Sequence, residues 1–300
     1  MTAEPRRRAD GVVRLVTFNV QHGRGDDGRT DADRLARAVA ALDADVVALQ
    51  EVDRGQARSG GADLVRAVAD ALGAHDHRFV PALAGQVGAP TLVAALTGGR
   101  GPGHRARPGA AVVRGLLDAG RATRRARGDE PADVPGYGIA LLTRLPVGAW
   151  RRLRLPVGTP WLLGRLRLGA DEPRVALAAV VETPQGPLTV VNTHLSSWRR
   201  WNRLQLRWLA RRLRGAPRPL VLLGDLNIPG DLPARRTGWR DAVATPTFPR
   251  RRPRSTIDHV LLDGAVRAPG PARAVDLGLS DHLAVVVDVE LTGGGSAPGA

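Results

Sequence analysis

Polar residues of one chemical kind recur where apolar runs of this chain stop. One run ends in Phe18-Asn19, another in Gln50-Glu51, and a later one in Asn192-Thr193-His194. Gly224-Asp225-Leu226-Asn227, Asp258-His259 and Ser280-Asp281-His282 follow the same pattern. The set is therefore Asn19, Glu51, His194, Asp225, Asn227, Asp258, Asp281 and His282, hard oxygen donors joined by imidazoles. Carboxylate and amide oxygens suit Mg²⁺ or Mn²⁺ rather than a soft metal, and the set is too rich in oxygen for a structural zinc site. Each residue alone has a plain structural use, such as an Asn in a turn or an Asp after Gly in an Asx turn. Their recurrence points to one site. In open α/β sheets function collects at the C-terminal edge of the strands, and the set is expected there.

The elements that must carry these residues alternate along the chain. Segments 14–20, 45–50, 138–143, 174–181, 188–194, 219–224, 255–262 and 283–290 read as strands. Several are nearly continuous apolar runs, as expected of strands buried on both faces. Segments 31–42, 62–72 and 198–213 read as helices. Strands recurring around helices imply an α/β or α+β layered domain over 11–292. The stretch 82–135 is rich in Gly, Pro, Ala and Arg and reads as a long insertion, with one helix expected at 111–127. The N-terminus 1–10 is expected to be flexible, and the tail 293–300, GGGSAPGA, to be disordered.

On these motifs the chain resembles the endonuclease/exonuclease/phosphatase superfamily, the DNase I-like fold. The matching stretches are LVTFNVQHGRG (15–25), DVVALQEVDR (45–54), YGIALLTRLPV (137–147), VVNTHLSSW (190–198), LVLLGDLNIPG (220–230), STIDHVLLD (255–263) and LSDHLAVVVDV (279–289). GDLN and SDH are specific when LQEV accompanies them, and FNVQHG is nearest to the bacterial sphingomyelinase-like branch. The resemblance implies a four-layer α/β sandwich with two central mixed β-sheets, halves that are structural duplicates, and a site at one end between the sheets. It implies that Glu51 is the principal metal ligand, with Asn19 close to the metal and Asp281 completing the site. Asp225 would position or deprotonate the attacking water. Asn227 and His194 would contact the phosphoryl group, and His282, oriented and kept protonated by Asp258, would stabilise its developing charge. The cofactor implied is Mg²⁺ or Mn²⁺, and the activity is hydrolysis of a phosphoester. The chemistry is coherent in itself: a carboxylate supplies the nucleophile, and a cation with a charged imidazole neutralises the equatorial oxygens. Departures from the family pattern are Thr143 where Ser is usual, His259 where an aromatic is commoner, and the length of the insertion.

Composition narrows the partners. The net charge is +15, and every one of the 44 basic residues is Arg. Such a surface favours polyanions, whether nucleic acid or an anionic membrane face. On segment 198–213 a 3.6-residue period aligns Arg200, Arg203, Arg207, Arg211 and Arg214, a stripe able to track a polyanion backbone. Arg200, Arg203 and Arg207 are therefore candidate substrate contacts. The same stripe also reads as a solvated outer face, with Trp201, Leu204, Trp208, Leu209 and Leu213 covering much of the rest. Three readings stand open: a nuclease, a phosphodiesterase or phosphatase for a lipid headgroup or small phosphoester, and a nucleic-acid-binding protein without turnover. With no cysteine, disulfides, thiolate zinc sites and cysteine nucleophiles are excluded. No apolar run is long enough to span a bilayer and none follows the N-terminal arginines as a signal core, so a cytoplasmic location is expected.

Overall fold

Alternation of side chains along the central strands explains why they are apolar throughout. In the first strand, β1 (Val13–Asn19), Val13 and Leu15 join one hydrophobic cluster while Val16 and Phe18 join another. In β2 (Val46–Arg54), Val46 and Ala48 face one way and Val47 and Leu49 the other. A strand between two apolar layers cannot afford a polar face. The computed structural model describes residues 11–87, 124–127, 130–157 and 172–292.

The strands form two mixed sheets. The first is eight-stranded, ordered β12-β14-β1-β2-β5-β3-β4, with β13 pairing β14 off that path. Its further members are β3 (Asp76–Ala84), β4 (Arg124–Arg125), β5 (Gly136–Thr143), β12 (Val266–Arg267), β13 (Arg273–Val275) and β14 (Ala284–Leu291). The second is six-stranded, ordered β10-β11-β9-β8-β7-β6. It comprises β6 (Val147–Arg154), β7 (Val175–Thr183), β8 (Gly186–Thr193), β9 (Leu220–Asp225), β10 (Arg240–Asp241) and β11 (Asp258–Asp263). Each sheet holds one parallel pair joined through a helix: β1 and β2 through α1 (Ala32–Ala40), β8 and β9 through α3 (Arg199–Arg212). With α2 (Leu64–Leu72) and the short α4 (Leu232–Thr237), these helices cover the outer faces. The order is thus helix, sheet, sheet, helix, the four-layer sandwich that the resemblance implies. No described helix is long and apolar enough to cross a membrane.

Local chemistry sets the helix ends. Asp31 caps α1 by accepting from the Arg34 amide at 2.9 Å. Asp63 caps α2 by accepting from the Val65 and Arg66 amides, and Gly73 ends it at φ +66°. Helix α3 differs from its expected facing. Leu206, Leu209 and Leu213 are buried, but so are Asn202 and Gln205, while Trp201 and Trp208 are half-buried and Leu204 is exposed. Tethers turn the helix this way: Gln205 accepts from the Ser196 amide and donates to the Pro156 carbonyl, and Asn202 donates to the Asn227 carbonyl.

Several elements lie outside the sequence expectation. Strand β3 is not among the expected strands and reaches into the expected insertion only at 82–84; Pro81 sits where its register with β5 shifts, and a central proline masks a strand signal. Strand β6 is an edge strand, and its arginines protect an open edge while hiding the alternation. Of the helix expected at 111–127, residues 124–125 are instead strand β4, paired with Leu83 and Ala84. Positions 111–123 of that helix, most of the insertion, the segment 1–10 and the tail 293–300 lie outside the described residues.

A buried polar network crosses the apolar space between the sheets. The Gln50 side-chain amide donates to Asn192 Oδ1 at 2.8 Å and to Thr17 Oγ1 at 3.0 Å. Asn192 in turn donates to the carbonyls of Leu49 and Ala140 at 2.9 and 2.7 Å. All three side chains are buried. Asn192→Ala would strand those acceptors in an apolar layer, and a loss of about 3 kcal/mol is expected. Urea unfolding with an unchanged m-value checks it; a loss below measurement would remove the inter-sheet bond from any structural role.

Candidate functional site

Asp225 is the last residue of β9, and the backbone there is crowded. A Cβ on Gly224 would lie 1.9 Å from the Thr193 carbonyl oxygen, and its φ is +142°, so only glycine lets β9 close on the end of β8. His194 follows β8 directly. Beyond Asp225 the chain turns sharply: the Asn227 amide donates to Asp225 Oδ1 at 2.9 Å, and Asn227 adopts φ +51°.

Antiparallel pairing delivers the next residues. Strand β11 runs against β9 with Asp258 opposite Asp225, and β14 runs against β1. Asp258 therefore opens a strand, and Asp281 and His282 precede one. The expectation that the whole set lies at C-terminal strand ends holds for Asn19 and Asp225 and fails for these, because reversing a strand brings its start to the same edge. Glu51 departs as well. Strand β2 does not end there but continues to Arg54 through a register shift between Leu49 and Val52. Glu51 sits in that bulge at φ +54°, which aims its carboxylate out of the sheet.

Asp225 Oδ2 is the focus of the site. The Asn19 side-chain nitrogen donates to it at 3.0 Å and to Glu51 Oε1 at 3.0 Å, bridging the carboxylates. His194 Nε2 lies 3.4 Å from the same oxygen and His282 Nε2 3.7 Å. The Asn19 nitrogen thus lies between two carboxylates, and its oxygen accepts from the Gln21 amide at 3.2 Å. His282 Nδ1 donates to Asp258 Oδ2 at 2.9 Å, and Thr247 donates to that oxygen at 2.5 Å. The Phe248 ring lies 4.8 Å from the His282 ring.

These neighbours set the charges. Burial opposes a charge on His282, but the Asp258 carboxylate, helped by Asp225, raises its pKa to about 9. Burial, then Asp258, push Asp225 well above the usual carboxylate range. Burial also raises Glu51, against the Asn19 hydrogen bond. His194 is held well below an ordinary histidine, first by burial and then by Arg174.

Arg174 is the cleft residue that sequence reasoning misses, since it reads as the first residue of a strand. The β7–β8 register, pairing Ala176 with Thr193, brings it beside His194. It is buried, and its Nη1 lies 2.8 Å from His194 Nδ1. A guanidinium has no acceptor, so His194 Nδ1 must accept and Nε2 must carry the proton. His194 is thereby a neutral N–H donor facing Asp225 and the cleft. Behind Asn227, His259 donates to Asp241 at 2.5 Å and to the Ile228 carbonyl at 2.7 Å, gripping the loop from below. Asp241 holds the His259 pKa up against burial.

Together these groups line a cleft of about 550 Å³ that also includes Arg58, Tyr137, Glu172 and Trp198. Glu51, His194, Asp225, Asn227, Asp281 and His282 all face it. Asn19 and Asp258 stand behind, touching Asp225 and His282. Arg200, Arg203 and Arg207 are not among its lining residues; they lie on the outer side of α3. Glu51 and Asp281 have no cationic side-chain partner among the described residues. Hard carboxylates that make no salt bridge among the described residues, at the wall of a polar cleft, fit a divalent cation of the Mg²⁺ type.

A model described as "Endonuclease/Exonuclease/phosphatase family" matches residues 16–282. The curated proteins give no match. Among solved structures, an endonuclease/exonuclease/phosphatase from Beutenbergia cavernae is 24% identical with a TM-score of 0.66, over 96% of this chain and 74% of that one. A mannosyl-6-phosphatase from Bacteroides thetaiotaomicron is 15% identical with a TM-score of 0.57, over 92% and 99%. TDP2 from D. rerio, complexed with single strand DNA product, is 16% identical with a TM-score of 0.56, over 94% and 100%.

Arg174→Gln tests the tautomer argument. Without the guanidinium, His194 is expected to titrate at higher pH and to lose its fixed Nε2–H form, read from imidazole ¹⁵N shifts. Turnover of a phosphodiester should fall about ten-fold or more, since one oriented donor is lost. Unchanged ¹⁵N shifts would show that Arg174 does not set the state of His194.

Proposed function

The chain belongs to the endonuclease/exonuclease/phosphatase family and is a hydrolase of phosphoester bonds; from that premise we propose that it cleaves them with a carboxylate-activated water and a divalent cation. The observation that carries the mechanism is the opposed state of neighbouring groups: a buried carboxylate, Asp225, within 3.7 Å of an imidazole favoured as its cation, His282.

Each residue then has a part. Asp225 orients the attacking water and takes its proton. Its raised pKa makes it a stronger base than an ordinary carboxylate. His282, kept charged by Asp258, faces the phosphoryl oxygens as charge develops on them. His194 adds a neutral N–H donor, fixed by Arg174, and the Asn227 amide lies beside it. Glu51 and Asp281 would hold the cation, which when bound neutralises charge on the phosphoryl group. Asp225, Asp258 and His282 also bring one possible ligand atom each within 4.8 Å of one another. A protonated His282 has no lone pair to offer, and this favours the carboxylates of Glu51 and Asp281 instead. Asn19 keeps Glu51 and Asp225 in register with each other.

The pH dependence follows from the two shifts. Asp225 must be ionised, so activity is lost as pH falls through its raised pKa. His282 must be protonated, so activity is present below about 9 and is lost as pH rises through it. A bell-shaped profile of kcat/KM on bis-p-nitrophenyl phosphate is expected. In Asp258→Asn the anion that sustains His282 is gone, and the basic limb should move to lower pH. A basic limb that stays in place would take His282 out of the profile.

Chelation with EDTA should abolish turnover and Mg²⁺ or Mn²⁺ should restore it. Asp225→Asn and His282→Ala are each expected to lower kcat by about 10²–10⁴-fold in a chain that still folds. Full activity in His282→Ala would overturn its role.

A further inference from the structure

The outer face of α3 combines exposed arginines with exposed large hydrophobics. Arg200, Leu204, Arg207 and Arg211 follow one another along the helix at i, i+4, i+7 and i+11, and all are exposed. Leu204 is 44% exposed and Trp198, at the helix N-terminus, 50%; they are the exposed large hydrophobics among the described residues. Half-buried Trp201 and Trp208 flank Leu204 at i−3 and i+4, so an apolar strip runs beside the arginine row. The helix, RRWNRLQLRWLARR, contains no acidic residue. No carboxylate among the described residues pairs with Arg200, Arg207 or Arg211. Some arginines elsewhere do find acids, as Arg14 does with Asp288 and Arg34 with Asp27. The strip is continuous with the cleft, because Trp198 belongs to both.

We propose that this face of α3 docks the protein onto an anionic lipid surface, with the mouth of the cleft at its edge. Charge complementarity names the partner as an anion, and the apolar strip selects among anions. A nucleic-acid backbone would use the arginines and could stack a base on Trp198, but it offers nothing to Leu204. At a lipid interface all parts are used: guanidinium groups meet headgroup phosphates, tryptophans sit at headgroup level, and a leucine enters the acyl boundary. The helix needs no insertion of its buried face, since the strip and the arginine row lie side by side on its outer half. The inference does not depend on how the cleft cleaves its substrate.

Sedimentation of the whole protein with vesicles tests it. Binding to phosphatidylglycerol vesicles is expected, with little to phosphatidylcholine, and it should weaken as salt rises. Arg207→Glu/Arg211→Glu should weaken phosphatidylglycerol binding about ten-fold or more. Leu204→Ser should weaken it several-fold while leaving any binding to single-stranded DNA unchanged. Circular dichroism and an unchanged melting temperature establish that the variants fold, and the wild-type preference between the two lipids stands without any variant. No binding to phosphatidylglycerol vesicles would overturn the proposal. So would binding that ignores the arginine variant. Loss in the arginine variant with none in Leu204→Ser would also overturn it, leaving a general polyanion face.

Discussion

A single side-chain amide joins the carboxylates of the site across the two sheets. The Asn19 nitrogen, on one sheet, donates to Asp225 on the other and to Glu51 in the bulge of β2. Two carboxylates brought this close under burial repel each other, and each loses solvation. The arrangement stands only if donors replace the lost water. Asn19 replaces it between them, while His194 and His282 approach Asp225 from the other side. Below this layer the Gln50–Asn192 bond ties the same sheets together. The polar stack thus closes an otherwise apolar interface at the end where chemistry is placed.

The backbone is bent to serve this layer. Positive φ at a residue other than glycine is uncommon, and here Gln21, His22, Glu51, Asn227 and Ser280 all adopt it around the cleft. Neighbours secure the bends at Ser280 and Asn227. The Ser280 hydroxyl donates to the Asn19 carbonyl at 2.6 Å, which docks the loop carrying Asp281 and His282 onto the end of β1. His259 grips the Ile228 carbonyl, and Asn202 of α3 donates to the Asn227 carbonyl at 2.7 Å. His259 is itself held by Asp241, so the grip on this loop is hydrogen-bonded on both ring nitrogens. Helix α3 therefore belongs to the site from its inner face, through Asn202, even though its outer arginines are remote from the cleft.

Charge is arranged by pairing rather than by excess. Despite the net charge of +15, the arginines at the cleft are matched: Arg58 makes a bidentate contact with Asp53, and Arg174 lies 3.3 Å from Glu172. The arginines on the outer face of α3 make no salt bridge with a described residue.

The sequence by itself determined the types of the site residues, their order, and most of the elements that carry them. Apolar runs marked the strands packed on both faces, because burial on two sides removes polar residues whatever the partners are. The helices expected at 31–42 and 62–72 are found because their starts are set locally, by Asp31 and Asp63 caps that bond within their own turns. What the tertiary structure alone decided is everything set by pairing between distant segments. Strand direction placed Asp258 opposite Asp225, and a bulge aimed Glu51. Register brought Arg174 to His194, where it read only as the opening of a strand. The rotation of α3 buried Asn202 and exposed Leu204, against the simple division of its residues into apolar and charged. A local pattern reports how deeply a residue is buried; it does not report which residue from elsewhere in the chain lies beside it. The chemistry of this site depends on those neighbours.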